Sequence, residues 1–347
     1  MAPRIARIRV CFVLVWVVLL SAVVQGAEVW GQGHQLRAKQ ARISAEDGPA
    51  ASTRIIGGKT ADDTMPWVVL FHMSGGNDIT CTGSVIAPRW IVTAAHCILN
   101  SRSDGYVTEQ GTEVTYGCSN VNSEQCKIAR AVTVKGHPCY TPSTDQDHDD
   151  LALIELDRHL DITPVLVDGW EWGVVPIKKD DPVSLAGFGT VANSPVVASP
   201  DLMRVTLPLS TEQACILANP WRYDKGYVDF SNTWCTGGTE GKDSCYGDSG
   251  GPAVYQHRGV DFLIGILSIG SEKPAGSACG MEGRYGVYTK LRHYSAWMRA
   301  VIEGGDGDAI EACPAVAIHN STQVTDVSGA RPSEMVIEDD SESGQGA

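Results

Sequence analysis

The sequence predicts an antiparallel all-β protein that ends in one helix, and three observations carry the prediction. Short apolar or alternating stretches recur at residues 67–73, 90–93, 129–134, 151–156, 183–186, 203–207 and 262–269, separated by Gly, Asp, Asn and Pro clusters. Stretches of that length between turn-forming residues read as strands, because a period of two turns one face to a core. The composition agrees, since 37 glycines against five phenylalanines favour many turns over long helices. The third observation is the exception. Leu291, Tyr294, Trp297, Met298, Val301 and Ile302 recur at helical spacing across 291–303, which marks one amphipathic helix whose apolar stripe is core packing. The chain shows no internal repeat.

Four segments divide the chain by composition. Arg4, Arg7 and Arg9 precede an uncharged apolar run of about 15 residues, and Val24-Gln25-Gly26 supplies small residues at its exit. This pattern is an export signal over 1–26, cleaved near Gly26, with an uncleaved anchor as the alternative; the run is shorter than the roughly 20 residues a bilayer span needs. Residues 27–54 are polar, follow neither period and end on Arg54, as an activation propeptide would. Residues 55–303 hold nearly all the apolar runs. Residues 304–347 are acidic and rich in Gly, Ser and Ala, the composition of a disordered tail, with one glycan acceptor at Asn320-Ser321-Thr322. The expected location is therefore secreted and extracellular.

Charge and cysteine usage narrow the function. Lys and Arg number 27 against 41 Asp and Glu, a formal charge of −14. So acidic a chain repels phosphate backbones, which excludes nucleic acid as a partner. Of 11 cysteines, Cys11 leaves with the signal. An even number remains for an oxidising compartment, which favours disulfides, and the absence of any C-x-x-C pair argues against zinc.

Three separated motifs carry chemistry. Thr93-Ala94-Ala95-His96-Cys97 follows an apolar strand, Asp150-Leu151-Ala152-Leu153-Ile154 opens another with an acid, and Gly247-Asp248-Ser249-Gly250-Gly251-Pro252 forms a glycine-rich turn before a third. In this order and spacing they resemble the chymotrypsin–trypsin family across residues 55–303. The resemblance implies two six-stranded antiparallel β-barrels with the site between them, and a C-terminal helix. It makes Ser249 the nucleophile, His96 the general base and then acid, and Asp150 the orienting carboxylate. A serine hydroxyl is a weak nucleophile at neutral pH, so an imidazole must take its proton and a carboxylate must hold that imidazole's tautomer. The N–H groups of Gly247 and Ser249 would form the oxyanion hole, Gly247 permitting a backbone shape that side chains hinder. Asp147 and Asp149 read as surface acids. His72, His137, His148, His159, His257 and His293 lack comparable context and read as packing or surface groups.

The same resemblance assigns an activation switch and a pocket. Arg54-Ile55-Ile56-Gly57-Gly58 is similar to the family's activation site, where a cut after Arg54 frees an Ile55 ammonium to pair with Asp248. Asp243 stands at the floor of the substrate pocket, Ser244 adds a hydroxyl, and Gly270 and Gly286 are wall positions, which together imply cleavage after Arg or Lys. Ile269 stands where relatives usually carry tryptophan. Tyr285 stands where most have proline, which raises a weak sodium site at the Met281 and Arg284 carbonyls; no other cofactor or metal is expected. Cys118 replaces a calcium-ligating acid found in some relatives, so calcium is not expected there. Family positions imply Cys81–Cys97, Cys215–Cys235 and Cys245–Cys279. Cys118, Cys126, Cys139 and Cys313 allow three pairings; Cys118–Cys126 is favoured because it closes a short loop, which leaves Cys139 with Cys313.

The expected protein is thus a monomeric secreted serine endopeptidase. Its partners would be protein or peptide substrates, an activating trypsin-like protease and protein inhibitors. The competing reading is a catalytically silent binding module on the same fold. Such a module usually shows a replaced triad member, and here all three are present. A third reading makes the acidic tail the functional part, binding a basic partner or the protein's own cleft.

Overall fold

The computed structural model describes residues 55–61, 64–72, 80–100, 105–106, 112–140, 149–190, 198–272, 278–305 and 313. They belong to one compact unit that begins at Thr53. The export signal, the propeptide with Arg54, Asp147, His148 and Asn320 lie outside the described residues.

The first half of the chain supplies β1 (Lys59–Thr60), β2 (Val68–His72), β3 (Thr80–Ala87), β4 (Trp90–Thr93), β5 (Leu99–Asn100), β6 (Gly105–Tyr106), β7 (Glu113–Tyr116), β8 (Lys127–Gly136) and β9 (Ala152–Leu156). Six of these close into an antiparallel barrel in the order β2-β3-β4-β9-β8-β7. Alternation explains the closure. In β8, Ala129, Ala131 and Val134 turn inward while their neighbours face outward, so one face fills the core with Val69, Val85, Ile91 and Ile154. Strand β3 was not among the predicted strands, because Thr82 and Ser84 interrupt its apolar pattern. Both are fully buried. Gly83 must lack a side chain there, since a Cβ would stand 2.7 Å from Ile91 Cγ2.

The second half supplies β10 (Leu166–Val167), β11 (Pro182–Gly187), β12 (Met203–Pro208), helices α1 (Glu212–Ala218) and α2 (Pro220–Asp224), β13 (Thr233–Gly237), β14 (Pro252–His257), β15 (Val260–Gly270) and β16 (Tyr285–Lys290). They form an eight-stranded sheet in the order β1-β12-β11-β14-β15-β16-β13, with β10 added on β15. Strands β11 to β16 follow the expected six-strand path, but the second barrel does not close with a regular ladder. Its ends meet through one bridge, Leu209 to Thr236, backed by the Ser210 N–H donating to the Cys235 carbonyl at 2.8 Å. The reason is local. Strand β12 ends on Pro208, which has no N–H to continue pairing. The chain then turns into α1, where the Thr211 side chain caps the helix by accepting from the Ala214 N–H.

The predicted C-terminal helix begins as a 3-10 turn, Leu291–Tyr294, and continues as α3 (Ser295–Ile302). Leu291, Tyr294, Trp297, Met298 and Val301 join the core of the first barrel, although the helix follows the second sheet in sequence. Each such side chain contributes about 1.5–3 kcal/mol of hydrophobic burial. His137 meets the Tyr294 and Trp297 rings edge-on at 4.9 and 5.0 Å, so this histidine is a packing group. Past the helix, the Cys139–Cys313 disulfide ties the chain back to the first half. No helix of the described residues is long and apolar enough to cross a membrane.

Candidate active site

The first barrel builds the histidine–acid pair. His96 sits in a 3-10 turn, Ala95–Cys97, at the end of β4. Asp150 lies just before β9, which pairs with β4 through Thr93 and Ala152, so the ladder sets the two side chains beside each other. Asp150 is fully buried, and its Oδ2 is 2.7 Å from His96 Nδ1 while its Oδ1 accepts from the His96 N–H at 2.9 Å. Burial works against the Asp150 charge, but the His96 charge and hydrogen bonds from His96 and Ser268 outweigh it and hold the carboxyl below its ordinary value. An ionised carboxylate only accepts, so the bond to Oδ2 requires a proton on His96 Nδ1. The Cys81–Cys97 disulfide borders the ring, with Cys97 Sγ 3.8 Å from Nε2.

Two residues behind this pair were not anticipated. Ser268 donates to Asp150 Oδ2 at 2.7 Å, and Thr289 donates to the Asp150 carbonyl at 2.9 Å. Ser268 was legible, being a hydroxyl inside the otherwise apolar run 262–269. Asp149 corrects an expectation: it is buried rather than a surface acid, and accepts from Tyr294 Oη at 2.6 Å. Its φ of 53° turns the side chain inward, a conformation that aspartate tolerates better than most residues.

The second sheet carries the Gly247–Pro252 turn, where the nucleophile is expected, to the same boundary. The Thr82 N–H donates to the Ser249 carbonyl at 2.9 Å, and the Thr82 hydroxyl donates to the Gly247 carbonyl at 3.2 Å. A Cβ on Gly250 would stand 2.1 Å from Thr93 Oγ1 and 3.0 Å from the Ala94 nitrogen. This close approach, just ahead of His96, requires the glycine. Thr82 explains why β3 broke the apolar alternation: it fastens the nucleophile turn. Gly247 has φ 91°, where a side chain is strained. No hydrogen bond among the described residues uses the Gly247 or Ser249 N–H, so both remain available as donors.

Ahead of Ser249, Asp248 is buried and accepts from the Gly189 and Cys245 N–H groups at 2.9 and 2.8 Å. Burial pushes its carboxyl up to about 7, and among the described residues no cation stands within ion-pair distance. Ile55, fully buried, lines the same small cavity as Leu185, Asp248 and Tyr288. The next residue pairs with the pocket floor, the Asp243 N–H donating to the Ile56 carbonyl at 3.1 Å.

Asp243 is buried and accepts from the Gly280 N–H at 3.0 Å; burial pushes its carboxyl up to about 6 against the opposing effects of Gly280 and Arg284. Ser244 Oγ accepts from Tyr288 Oη at 3.2 Å. A Cβ on Gly286 would meet the Tyr288 ring at 2.7 Å, and one on Gly270 would meet the Arg284 guanidinium at 3.0 Å. The Met281 carbonyl accepts from the Arg284 N–H and the Arg284 carbonyl from the Gly238 N–H. Cys118–Cys126, Cys215–Cys235 and Cys245–Cys279 complete the disulfides, the last bracketing the pocket segment.

Fold and site define a two-part β protein that presents a histidine–carboxylate pair from one half and a glycine-flanked serine from the other. The chain belongs to the trypsin family, whose model, Trypsin, matches residues 55–298. It is 34% identical to coagulation factor IX of Cavia porcellus over 252 residues, 70% of this chain and 80% of the relative. It is 32% identical to coagulation factor IX of Oryctolagus cuniculus over 71% of this chain and 83% of the relative. A phenoloxidase-activating enzyme of Bombyx mori is 30% identical over 73% of this chain and 62% of the relative.

Proposed function

We propose that the chain is a secreted serine endopeptidase, hydrolysing peptide bonds after Arg or Lys and activated by a cut after Arg54. The observation that carries the reading is the buried Asp150 held between His96 Nδ1 and Ser268, because a carboxylate on Nδ1 directs base chemistry to His96 Nε2. In this reading Ser249 Oγ attacks the substrate carbonyl as its proton passes to His96, and the oxyanion is met by the Gly247 and Ser249 N–H groups. His96 then returns the proton to the leaving amine, and water repeats the cycle on the acyl-enzyme. Asp243, with Ser244 beside it, supplies the counter-charge for a guanidinium or ammonium. The Bombyx mori relative is a phenoloxidase-activating enzyme, which fits an endopeptidase whose substrates are proteins.

Activation has a physical rationale in the Ile55 segment. Ile55 is β-branched yet holds φ at 44°, a strained conformation costing about 1–3 kcal/mol. Cutting the Arg54–Ile55 bond removes that torsion and places an ammonium beside the unneutralised Asp248. A buried acid is costly alone and tolerable when paired, so the cut relieves both strain and charge. Expression of the proform, processing after Arg54 and profiling on a peptide library beside Ser249→Ala tests the proposal. Cleavage after Arg and Lys is expected in the processed protein only, and Arg54→Gln is expected to stay inactive. Cleavage mainly after aromatic or small residues would refute the specificity. A weak sodium site at the Met281 and Arg284 carbonyls belongs to the same reading; equal activity in sodium chloride and choline chloride at matched ionic strength removes it.

A further inference from the structure

Thr82 stands in β3 of the first barrel, yet its hydrogen bonds reach across to the second sheet. It is fully buried, at a place where a barrel core ordinarily takes an apolar side chain. Its N–H donates to the Ser249 carbonyl at 2.9 Å, and its hydroxyl donates to the Gly247 carbonyl at 3.2 Å. The side chain has little room to turn away. A Cβ on Gly187 would lie 3.2 Å from Thr82 Oγ1, and one on Gly251 would lie 3.4 Å from Thr82 Cβ. A hydroxyl has one proton to give, and the Gly247 carbonyl takes it.

That bond holds the peptide after Gly247 at one end. At its other end the Asp248 N–H donates to the Cys245 carbonyl at 3.0 Å. The peptide before Gly247 carries the N–H that would face the oxyanion. Its Tyr246 carbonyl accepts from the Thr190 N–H at 2.6 Å, and in a trans peptide this turns the Gly247 N–H the opposite way. Gly247 joins the two planes at φ 91°, and a glycine has no side chain to limit rotation between them. We infer that the Thr82 hydroxyl is a positioning group for the oxyanion hole, fixing the Gly247 backbone so that its N–H meets the developing charge. The inference rests on the reading of Gly247 and Ser249 given under Proposed function. The Thr82 backbone N–H holds Ser249 whatever the side chain, so the hydroxyl acts on the hole separately from the nucleophile.

The test uses the full chain processed after Arg54, carrying Thr82→Val, which keeps the shape without the hydroxyl, or Thr82→Ser, which keeps the hydroxyl. The readouts are kcat and KM on an Arg peptide, benzamidine binding, which reports the pocket alone, and inhibition by a peptidyl arginine aldehyde, whose adduct with Ser249 places an oxyanion in the hole. Thr82→Val is expected to lower kcat about 10- to 100-fold, as a displaced oxyanion donor does, and to weaken the aldehyde by a similar factor. KM and benzamidine binding should stay unchanged, and Thr82→Ser should recover kcat. Should the valine variant fail to fold, Thr82→Ala decides by the same readouts. An unchanged kcat, a loss of benzamidine binding alongside kcat, or no recovery in Thr82→Ser overturns the inference. With an active reference protein those outcomes leave the proposed function standing, whereas an inactive processed reference overturns both.

Discussion

The two halves of the molecule bury their acids differently. Asp150, on the first barrel, receives the His96 ring, the His96 backbone N–H and the Ser268 hydroxyl, and its carboxyl lies below the ordinary value despite complete burial. Asp248 and Asp243, on the second sheet, are held by backbone N–H groups, and burial raises them to about 7 and about 6. The architecture matches the contrast. The first half closes as a barrel, while the second meets at a single bridge. Glycines with positive φ gather around its site, at 237, 238, 241, 247, 250, 280 and 283. The lesson is that Asp150 has its hydrogen-bond partners in place, whereas Asp248 has no cation within ion-pair distance among the described residues, and in the proposed reading the cut after Arg54 supplies one.

The largest effect should come from the residues that act as a unit. In the processed protein, Ser249→Ala or His96→Ala is expected to lower kcat by about a millionfold, read as kcat/KM on an Arg peptide; a rate within tenfold of the reference would break the assignment of the two halves to one reaction.

Ser268→Ala sharpens the first side of the comparison. It removes a hydrogen bond to a charged acceptor, worth about 1.5–3 kcal/mol, so kcat is expected to fall roughly 10- to 100-fold with KM little changed. Ser268→Thr, which restores a hydroxyl, should recover much of the loss. A fall in KM and kcat together, without rescue, would make Ser268 a packing residue only.

The smallest effect is one of pH on stability, and it probes the second side. The folded Asp248 carboxyl is raised from 3.8 to about 7, so folding favours its protonated form. Its stabilising contribution is fully present below about pH 3.8, declines as pH rises towards 7, and is level above that. In the unprocessed protein, the Tm difference between the reference and Asp248→Asn should therefore shrink as pH rises from 4 to 7. After processing, the Ile55 ammonium lowers the carboxyl and the decline should vanish. A Tm difference independent of pH before processing would show that Asp248 already has a cation.

Legibility in the sequence followed how local each signal is. Strands β4, β9, β12 and β15 were readable because their apolar residues run or alternate over most of a strand's length. Strand β3 was not, because Thr82 is buried by hydrogen bonding to the nucleophile turn rather than by hydrophobicity. Asp149 was misread as a surface acid for the same kind of reason: its partner Tyr294 lies 145 residues away in the sequence.

Apolar patterning alone determined that this chain would build β structure ending in one helix, because a period of two or of 3.6 is local to each segment; the serine, histidine and aspartate motifs were legible only through their resemblance to a family. Tertiary structure decided the rest: that Ser268 and Thr289 hold Asp150 in place, that the second sheet closes by one bridge, and that Arg284 lies over Asp243. These are contacts between residues far apart in the chain. Their existence depends on which side chains burial forces together, and no periodicity along the sequence records that.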